Sequence, residues 1–345
     1  MKRKYLMFTI VLLSCIFIGG WTYPPPGWKK LAIVENEFYI QTSTANLTIY
    51  TVEKRLKIPI PQKFRKAVLL VHGSGSGYGY WDIPIGDYSM MDFLAKKGLD
   101  VYAVDQRGYG KSPLPPPLTG FDVNAEKSTD DLKSVIDFIK IRSGVEKVDL
   151  VGHSWGAGVA AVLADTYKDH IRNVVLIGFP YQKFNPLYPI PPSLPPFPYV
   201  PNLHWQTFRN NLFLYEPEVA DYYENMIKTQ YASIPTGVLG DGLTFAYKGH
   251  VPKITAPTLL INGSREYVVD MNDSANCLND LGTKNDLGEP TSKDFQVELN
   301  KDLLIIPNAY HLIFLEKVAH TLQNEAVLYW LNFNDPEVIV GPEMP

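Results

Sequence analysis

This sequence has little cysteine, no dominant charge and no repeated segment. Two of its 345 residues are cysteines, Cys15 and Cys277, so we expect no internal disulfide. Nothing around Cys277 is typical of a thiol nucleophile. The net charge is -4 with both signs mixed along the chain, which excludes a basic stripe for nucleic acid. No Cys/His spacing typical of zinc is present either, so we predict no metal site.

The only long apolar run lies at the N-terminus. Lys2, Arg3 and Lys4 precede apolar residues 5–18. We therefore predict a signal peptide or membrane anchor over residues 1–20, and an exported protein that is periplasmic, secreted or attached to the membrane through this segment. The run around Cys15 is similar to a bacterial lipoprotein cleavage box, so lipidation there, cleavage after residue 20 and an uncleaved anchor all stay open.

After a proline-rich linker over residues 21–30, strand and helix patterns alternate. Two β-type runs, 31–41 and 47–54, predict an opening antiparallel ribbon. Apolar strands are then predicted at 66–71, 99–104, 147–151, 173–177, 258–261 and 302–306, and helices at 88–97, 126–141, from 155 to about 167, and 316–331. Repeated βα units with apolar strands predict an α/β fold with a mostly parallel sheet, covered by helices on both faces.

The alternation stops between residues 179 and 254. A proline-dense segment, 186–201, precedes two predicted helices at 205–214 and 217–230. A stretch of this length without a sheet strand predicts a helical cap, or lid, inserted into a core of residues 31–178 and 255–345. Its aromatic side chains are expected either to line an apolar pocket or, for most of them, to pack the lid on the sheet; they are Tyr181, Phe184, Tyr188, Phe197, Trp205, Phe208, Phe213, Tyr222, Tyr223 and Phe245.

The pentapeptide from Gly152 to Gly156 follows an apolar strand and precedes a run of small residues typical of a helix. A serine on such a sharp turn has a strained backbone, and the flanking glycines let strand and helix approach each other. The pattern predicts that Ser154 is a nucleophile presented at the edge of the sheet.

A serine nucleophile needs a base and an acid that orients the base. His311 is the best candidate base because it follows the last predicted strand. The other positions considered are poorer: His153 lies in the turn, His170 precedes a strand, His204 and His250 lie in the lid, and His320 lies in the final helix. The loop after the preceding strand offers Glu266 as the acid, with Asp270 as the alternative.

The negative charge that develops on an attacked carbonyl oxygen requires backbone donors. The N–H groups of Trp155 and Ser74 are predicted to supply this oxyanion hole. The glycine-rich loop around Ser74 is also compatible with a flexible connection, but it lacks the ending of a phosphate-binding loop. We predict neither an organic cofactor nor a metal.

Four motifs together resemble the α/β-hydrolase family, over residues 31–333: His72-Gly73, residues 105–112, residues 152–156 and residues 311–316. The resemblance implies an α/β-hydrolase fold with a cap domain, Ser154 as nucleophile, His311 as base, Glu266 as acid, Ser74 and Trp155 as oxyanion hole, and a structural role for residues 105–112. The chain departs from the family at Tyr310, where glycine is frequent, and at Glu266, where aspartate is more usual.

Within the family, a serine nucleophile argues against haloalkane dehalogenases and epoxide hydrolases, which use aspartate there. Residues 105–108 and 153–156 are similar to those of proline iminopeptidases, and residues 72–77 with Trp81 look faintly like those of carbon–carbon bond hydrolases. We favour hydrolysis of a small ester or similar acyl substrate, apolar or aromatic, through an acyl-enzyme.

Two alternatives stay open. An aminopeptidase would need lid carboxylates to bind a free amino terminus, and Glu216, Glu218 and Glu224 are the candidates. A non-catalytic binding protein on the same scaffold is the alternative of another class.

Overall fold

The computed structural model describes residues 32–57, 65–189, 191–292 and 299–333. The predicted leader, residues 1–20, and the linker, residues 21–30, lie outside these ranges together with Cys15. Export, membrane attachment and lipidation therefore stay predictions. Within the described ranges, no helix combines the length and the apolar character needed to cross a bilayer.

The centre of the described structure is an eight-stranded sheet. The described strands in chain order are β1 (Ile33–Gln41), β2 (Thr48–Leu56), β3 (Ala67–Val71), β4 (Asp100–Val104), β5 (Val148–His153), β6 (Ile171–Ile177), β7 (Tyr199–Pro201), β8 (Ser233–Pro235), β9 (Thr258–Gly263) and β10 (Lys301–Ile306). All of them except β7 and β8 belong to this sheet. The sheet order is β1-β2-β4-β3-β5-β6-β9-β10. β1 and β2 form an antiparallel hairpin, β2 runs antiparallel to β4, and the later neighbours are parallel. The predicted mostly parallel sheet is confirmed.

Helices cover this sheet, and they explain its apolar sequence. The described helices are α1 (Met90–Lys96), α2 (Ala125–Ser143), α3 (Trp155–Thr166), α4 (His204–Thr207), α5 (Pro217–Gln230), α6 (Thr236–Thr244), α7 (Met271–Asp280) and α8 (Ala319–Phe333). Of these, α4, α5 and α6 belong to the chain between β6 and β9. α2 packs against α3, and α1 packs against α8. Every residue of β3, β4 and β5 is buried, as expected for strands covered on both faces.

The chain between β6 and β9 forms the insertion. Its described part adds no strand to the central sheet, but β7 and β8 pair antiparallel in a small sheet of their own. The predicted second helix corresponds to α5. The predicted helix at 205–214 is wrong in length, because α4 ends at Thr207 and a single 3₁₀ turn, Phe208–Asn210, follows it.

Helix α6 has no counterpart among the elements predicted from the sequence. Its sequence, TGVLGDGLT, contains three glycines, each of which disfavours a helix by about 1 kcal/mol relative to alanine. Tertiary packing overrides this propensity, because Thr236, Val238 and Asp241 are buried against the rest of the protein. The small sheet was missed for a similar reason, since β7 and β8 are each three residues long and end in proline.

Candidate active site

Ser154 lies on the sharp turn between β5 and α3. Its φ of 55° and ψ of -122° are strained for a residue with a side chain. The flanking glycines are required by space: a Cβ on Gly152 would lie 2.4 Å from the carbonyl oxygen of Gly156, and a Cβ on Gly156 would lie 2.3 Å from that of His72. The turn therefore holds the Ser154 hydroxyl at the carboxyl end of the strand.

His311 and Glu266 meet Ser154 from the loops that follow β10 and β9. His311 Nε2 lies 3.0 Å from Ser154 Oγ, and His311 Nδ1 lies 3.0 Å from Glu266 Oε1. Both of these side chains are buried. The structure thus brings the three sequence-predicted side chains into one continuous line of hydrogen-bond contacts.

The orientation of Glu266 is fixed by its own loop. Glu266 Oε1 accepts hydrogen bonds from the backbone N–H groups of Val268, at 2.8 Å, and Val269, at 3.3 Å. Two backbone donors to one oxygen hold the carboxyl group in a single orientation. Glu266 therefore presents an oriented, accepting group to His311.

Glycines also make room for the imidazole. Gly178 has a φ of +56°, and a Cβ there would lie 2.8 Å from His311 Cε1. A Cβ on Gly263 would lie 2.1 Å from the carbonyl oxygen of Ala309. The loops after β6 and β9 can therefore approach the His311 loop only with glycine at these positions.

Asp270, the alternative acid, has other partners. Its side chain caps the N-terminus of α7 by accepting from the Asn272 N–H at 2.8 Å, and it forms an ion pair of 3.0 Å with Lys183. The hydrogen bond with Lys183 holds the pKa of Asp270 below its usual value. These contacts satisfy the carboxylate at the start of a helix rather than beside His311.

Ser74 and Trp155, the two predicted oxyanion donors, both line a cavity beside Ser154. The loop that carries Ser74 lies against Ser154, since a Cβ on Gly73 would lie 3.0 Å from Ser154 Cβ. The Tyr109 hydroxyl donates to the Ser74 carbonyl at 2.9 Å. Asn202 of the insertion donates to the Gly75 carbonyl at 2.8 Å, so the loop is held from both sides.

The cavity has a volume of about 120 Å³, and none of the described residues that line it has a charged side chain. Apart from Ser74, Ser154 and Trp155, the lining comes from the insertion and from the loop after β9. Its large apolar side chains include Phe184, Tyr188, Val238, Leu239, Leu243 and Tyr247. Of the lid aromatics named from the sequence, Phe184 and Tyr188 line the cavity. Others pack in the interior, among them Tyr181, Phe208 and Tyr223, and Phe197 and Phe213 are exposed.

The lid glutamates do not line this cavity. Glu216 pairs with Lys317 at 3.2 Å, and Glu224 pairs with Arg209 at 2.8 Å. Glu218 lies in the first turn of α5 and is exposed. The structure therefore does not bring these carboxylates to Ser154 as a site for a free amino group.

Sequence reasoning missed the function of His153. Its Nε2–H donates to the carbonyl oxygen of His311 at 3.0 Å, and the two imidazole rings lie 4.8 Å apart. Burial, and then the neighbouring charge of His311, lower the pKa of His153 well below its usual value, so it stays neutral. The neutral ring ties the turn that carries Ser154 to the loop that carries His311.

Asp241 was also missed. This buried carboxylate on α6 accepts from the Trp155 indole N–H at 2.8 Å and from the Ala125 N–H at 2.7 Å. Burial raises its pKa to about 6. The glycine-rich stretch around Asp241 gave no local signal for this contact, which joins residues 86 positions apart in the chain.

Residues 105–112 hold the scaffold together. Arg107 forms a two-pronged buried ion pair with Asp131, with N···O distances of 2.6 and 2.8 Å. Asp105 accepts from the Tyr78 N–H at 3.0 Å and from the Tyr231 hydroxyl of the insertion at 2.9 Å. These contacts stabilise loops around the site rather than reaching into the cavity.

Comparison with known proteins agrees with this architecture. A sequence model of the family described as alpha/beta hydrolase fold matches residues 66–318. The solved structure of a monoacylglycerol lipase from Paleococcus ferrophilus superposes with a TM-score of 0.60 at 22% identity, covering 83% of this chain and 99% of that one.

Curated relatives match over shorter stretches. The 1-acylglycerol-3-phosphate O-acyltransferase ABHD5 of Sus scrofa is 31% identical over 116 residues, which are 33% of this chain and 30% of that protein. The human (Lyso)-N-acylphosphatidylethanolamine lipase is 27% identical over 164 residues, 46% of this chain and 43% of that protein. The matched stretch thus spans less than half the length of either relative. The family match over most of the chain, together with the fold, shows that this protein belongs to the α/β-hydrolase family.

Proposed function

We propose that this protein is a serine hydrolase that cleaves a carboxylic ester of a small apolar or aromatic substrate through an acyl-enzyme. The observation that carries the proposal is the line of contacts from Ser154 Oγ through His311 to Glu266. Ser154, at the start of this line, faces a cavity whose described lining residues are uncharged. Relatives whose names describe a lipase support the ester as substrate.

The first half of the reaction forms the acyl-enzyme. His311 Nε2 accepts the Ser154 proton while Oγ attacks the ester carbonyl carbon, and the carbonyl electrons move onto its oxygen. The N–H groups of Ser74 and Trp155 stabilise this oxyanion, a term that is typically worth about 3 kcal/mol per donor. The tetrahedral intermediate collapses, the bond to the leaving oxygen breaks, and His311 donates its proton to the departing alcohol.

Glu266 acts through His311. The ionised carboxylate only accepts hydrogen bonds, so it selects the tautomer of His311 with a proton on Nδ1 and leaves Nε2 free to accept. It then stabilises the imidazolium that forms. In the second half, a water loses a proton to His311 while its oxygen attacks the acyl carbon. The bond to Ser154 Oγ then breaks, the acid is released, and His311 returns the proton to Oγ.

The test is hydrolysis of p-nitrophenyl esters of short to long acyl chains, beside proline p-nitroanilide. Wild-type full-length protein is compared with Ser154→Ala, which removes the nucleophile without adding bulk. We expect ester hydrolysis that falls by about four to six orders of magnitude in the variant.

Other outcomes would overturn this proposal. Preference for the proline anilide would favour the aminopeptidase alternative, and no turnover of any ester by folded protein would favour a non-catalytic binding protein. Ester turnover that survives in Ser154→Ala would show that Ser154 is not the nucleophile.

We also propose that the protein is exported or anchored at a membrane, on the basis of the basic and apolar pattern of residues 1–20. Fractionation of cells that express the full chain, followed by mass measurement of the N-terminal peptide, tests this. A lipid on Cys15 would disappear in Cys15→Ser. An intact N-terminus found only in the cytosolic fraction would contradict export.

A further inference from the structure

α6 forms one wall of the cavity. Val238, Leu239, Gly242 and Leu243 line it, and this spacing places them on one face of the helix. Gly242 is the one position on this face where the wall has no side chain. At this position another side chain can therefore approach the helix closely.

The ring of Phe184 packs directly against Gly242. A Cβ on Gly242 would lie 3.3 Å from Phe184 Cζ and 3.6 Å from Cε2, so even one added carbon touches the ring. Phe184 is held in place by its backbone, which bridges to Val269 of the Glu266 loop, and by rings on either side, Tyr188 at 5.5 Å and Phe245 at 5.2 Å. Both Gly242 and Phe184 line the cavity, so glycine at position 242 lets the ring lie back against α6 and leaves the cavity open.

α6 is also fixed from behind. A Cβ on Gly237 would lie 2.4 Å from the carbonyl oxygen of Val123, so the helix already touches the backbone of the loop before α2. Asp241, next to Gly242, joins the helix to the Ala125 N–H and to the Trp155 indole. With these contacts the helix cannot move away from the cavity. A side chain added at Gly242 therefore displaces the Phe184 ring into the cavity.

We infer that Gly242 determines how long an uncharged apolar chain the cavity accepts, an inference that rests on the proposed ester hydrolysis. The lining carries no charged side chain, and burial of an unpaired charge in such a site is strongly unfavourable. The substrate class is thus an ester with a neutral apolar chain, and Gly242 leaves room for this chain by letting the Phe184 ring lie against α6. Gly242 is a specificity-determining residue and takes no part in the bond-breaking steps.

The helix provides its own matched control. Gly240 lies two residues away and outside the cavity lining, and a Cβ there would meet only Leu194 side-chain carbons, at 3.6 and 3.8 Å. Gly242→Val and Gly240→Val therefore change the same helix by the same side chain. Gly242→Ala and Gly240→Ala form a milder pair that favours helix formation.

The experiment measures kcat/KM for p-nitrophenyl acetate, butyrate, hexanoate, octanoate and decanoate, and for acetate esters of alcohols of the same lengths. We expect Gly242→Val to shift the optimum of one series to shorter chains, with a loss of about ten-fold or more for the longest ester that wild type accepts and about two-fold or less for the shortest. Gly240→Val keeps the wild-type profile. Identical profiles for the two valine variants in both series would overturn the inference.

A second measurement separates this inference from the proposed function. In a Ser154→Ala background, uncleaved methyl esters of straight-chain acids are tested for the rise in Tm that they produce. We expect Gly242→Val to shorten the longest ester that raises Tm, whereas an unchanged length limit overturns the inference. Ester hydrolysis that persists in the Ser154→Ala protein would count against the proposed function alone.

Discussion

The central sheet and the insertion after β6 hold their side chains in place by different means. β3, β4 and β5 are completely buried, and they position the turn that carries Ser154 by apolar packing and close backbone approach. The insertion is joined to the sheet domain by buried polar contacts such as Tyr231 to Asp105 and Asp241 to Trp155. Geometry for bond cleavage thus comes from the sheet, and the shape of the cavity comes mainly from the insertion.

The comparison also shows where a substitution acts. A change at the end of a strand alters the alignment of Ser154, His311 and Glu266, whereas a change in α6 alters what fits beside them. The polar contacts between the two regions are the exceptions. Asp241 lies on α6 but accepts hydrogen bonds from Ala125 and from Trp155, the residue that follows Ser154.

The largest effect is expected in the sheet domain, for the carboxylate that orients His311. Glu266→Gln keeps the size of the side chain but removes its charge, so the imidazolium loses its partner, and we expect kcat to fall by roughly a thousand- to ten-thousand-fold. Asp270→Asn is the matched control, since Asp270 caps α7 and pairs with Lys183. Steady-state ester hydrolysis measures kcat for both variants. An equal fall in kcat for the two would show that Glu266 and Asp270 do not differ in their effect on His311.

An intermediate effect, on the pH dependence of stability, is expected for Asp241, which joins the insertion to the sheet domain. Burial raises the pKa of Asp241 to about 6, above its value in an unfolded chain, and Glu126, Tyr109 and Tyr247 are the titratable groups that interact with it. The folded protein therefore holds the Asp241 proton more tightly than the unfolded chain does. The stability that protonation of Asp241 adds is fully present below about pH 4 and is lost as the pH rises through about 6.

Asp241→Asn removes this titration and keeps an oxygen that can accept the two N–H donors. We expect the free energy of unfolding of the variant, relative to wild type, to increase by up to about 3 kcal/mol between pH 4 and pH 7. Denaturant unfolding at several pH values measures this difference. A difference that is constant with pH would contradict the assignment of the link.

The smallest effect is expected at His153, which acts through the backbone of His311. His153→Phe keeps an aromatic ring but leaves the His311 carbonyl without its donor, and we expect kcat to fall by about ten- to a hundred-fold with little change in KM. His153→Asn, which retains a side-chain N–H donor, is expected to recover part of the loss. An equal fall for both variants would show that packing of the ring, rather than the hydrogen bond, positions His311.

The two regions also differ in how far they can be predicted from the sequence. Apolar runs ending in glycine or histidine predict the sheet and the loops that carry Ser154, Glu266 and His311, because strand ends at one edge of a parallel sheet must lie close together. Its position in the loop after β9 favours Glu266 over Asp270 from the sequence, whereas its 3.0 Å contact with His311 Nδ1 and its two backbone N–H donors are visible only in the structure.

The insertion is less predictable because its local signals are weak or misleading. Helix α6 forms despite three glycines, and those glycines serve contacts with partners distant in the chain, such as Gly237 against Val123. Asp241 meets Trp155 only once the insertion folds back over the sheet domain. Such long-range contacts depend on shape, which aromatic content and periodicity do not determine.

The most direct test of the central claim is to label the nucleophile. Full-length wild type and Ser154→Ala are incubated with a fluorophosphonate, which transfers a phosphonyl group to an activated serine, and the labelled peptide is identified by mass spectrometry. The account predicts one phosphonyl group on Ser154 in wild type and none in the variant. A label on another residue, or esters hydrolysed by wild type without any label on Ser154, would contradict it.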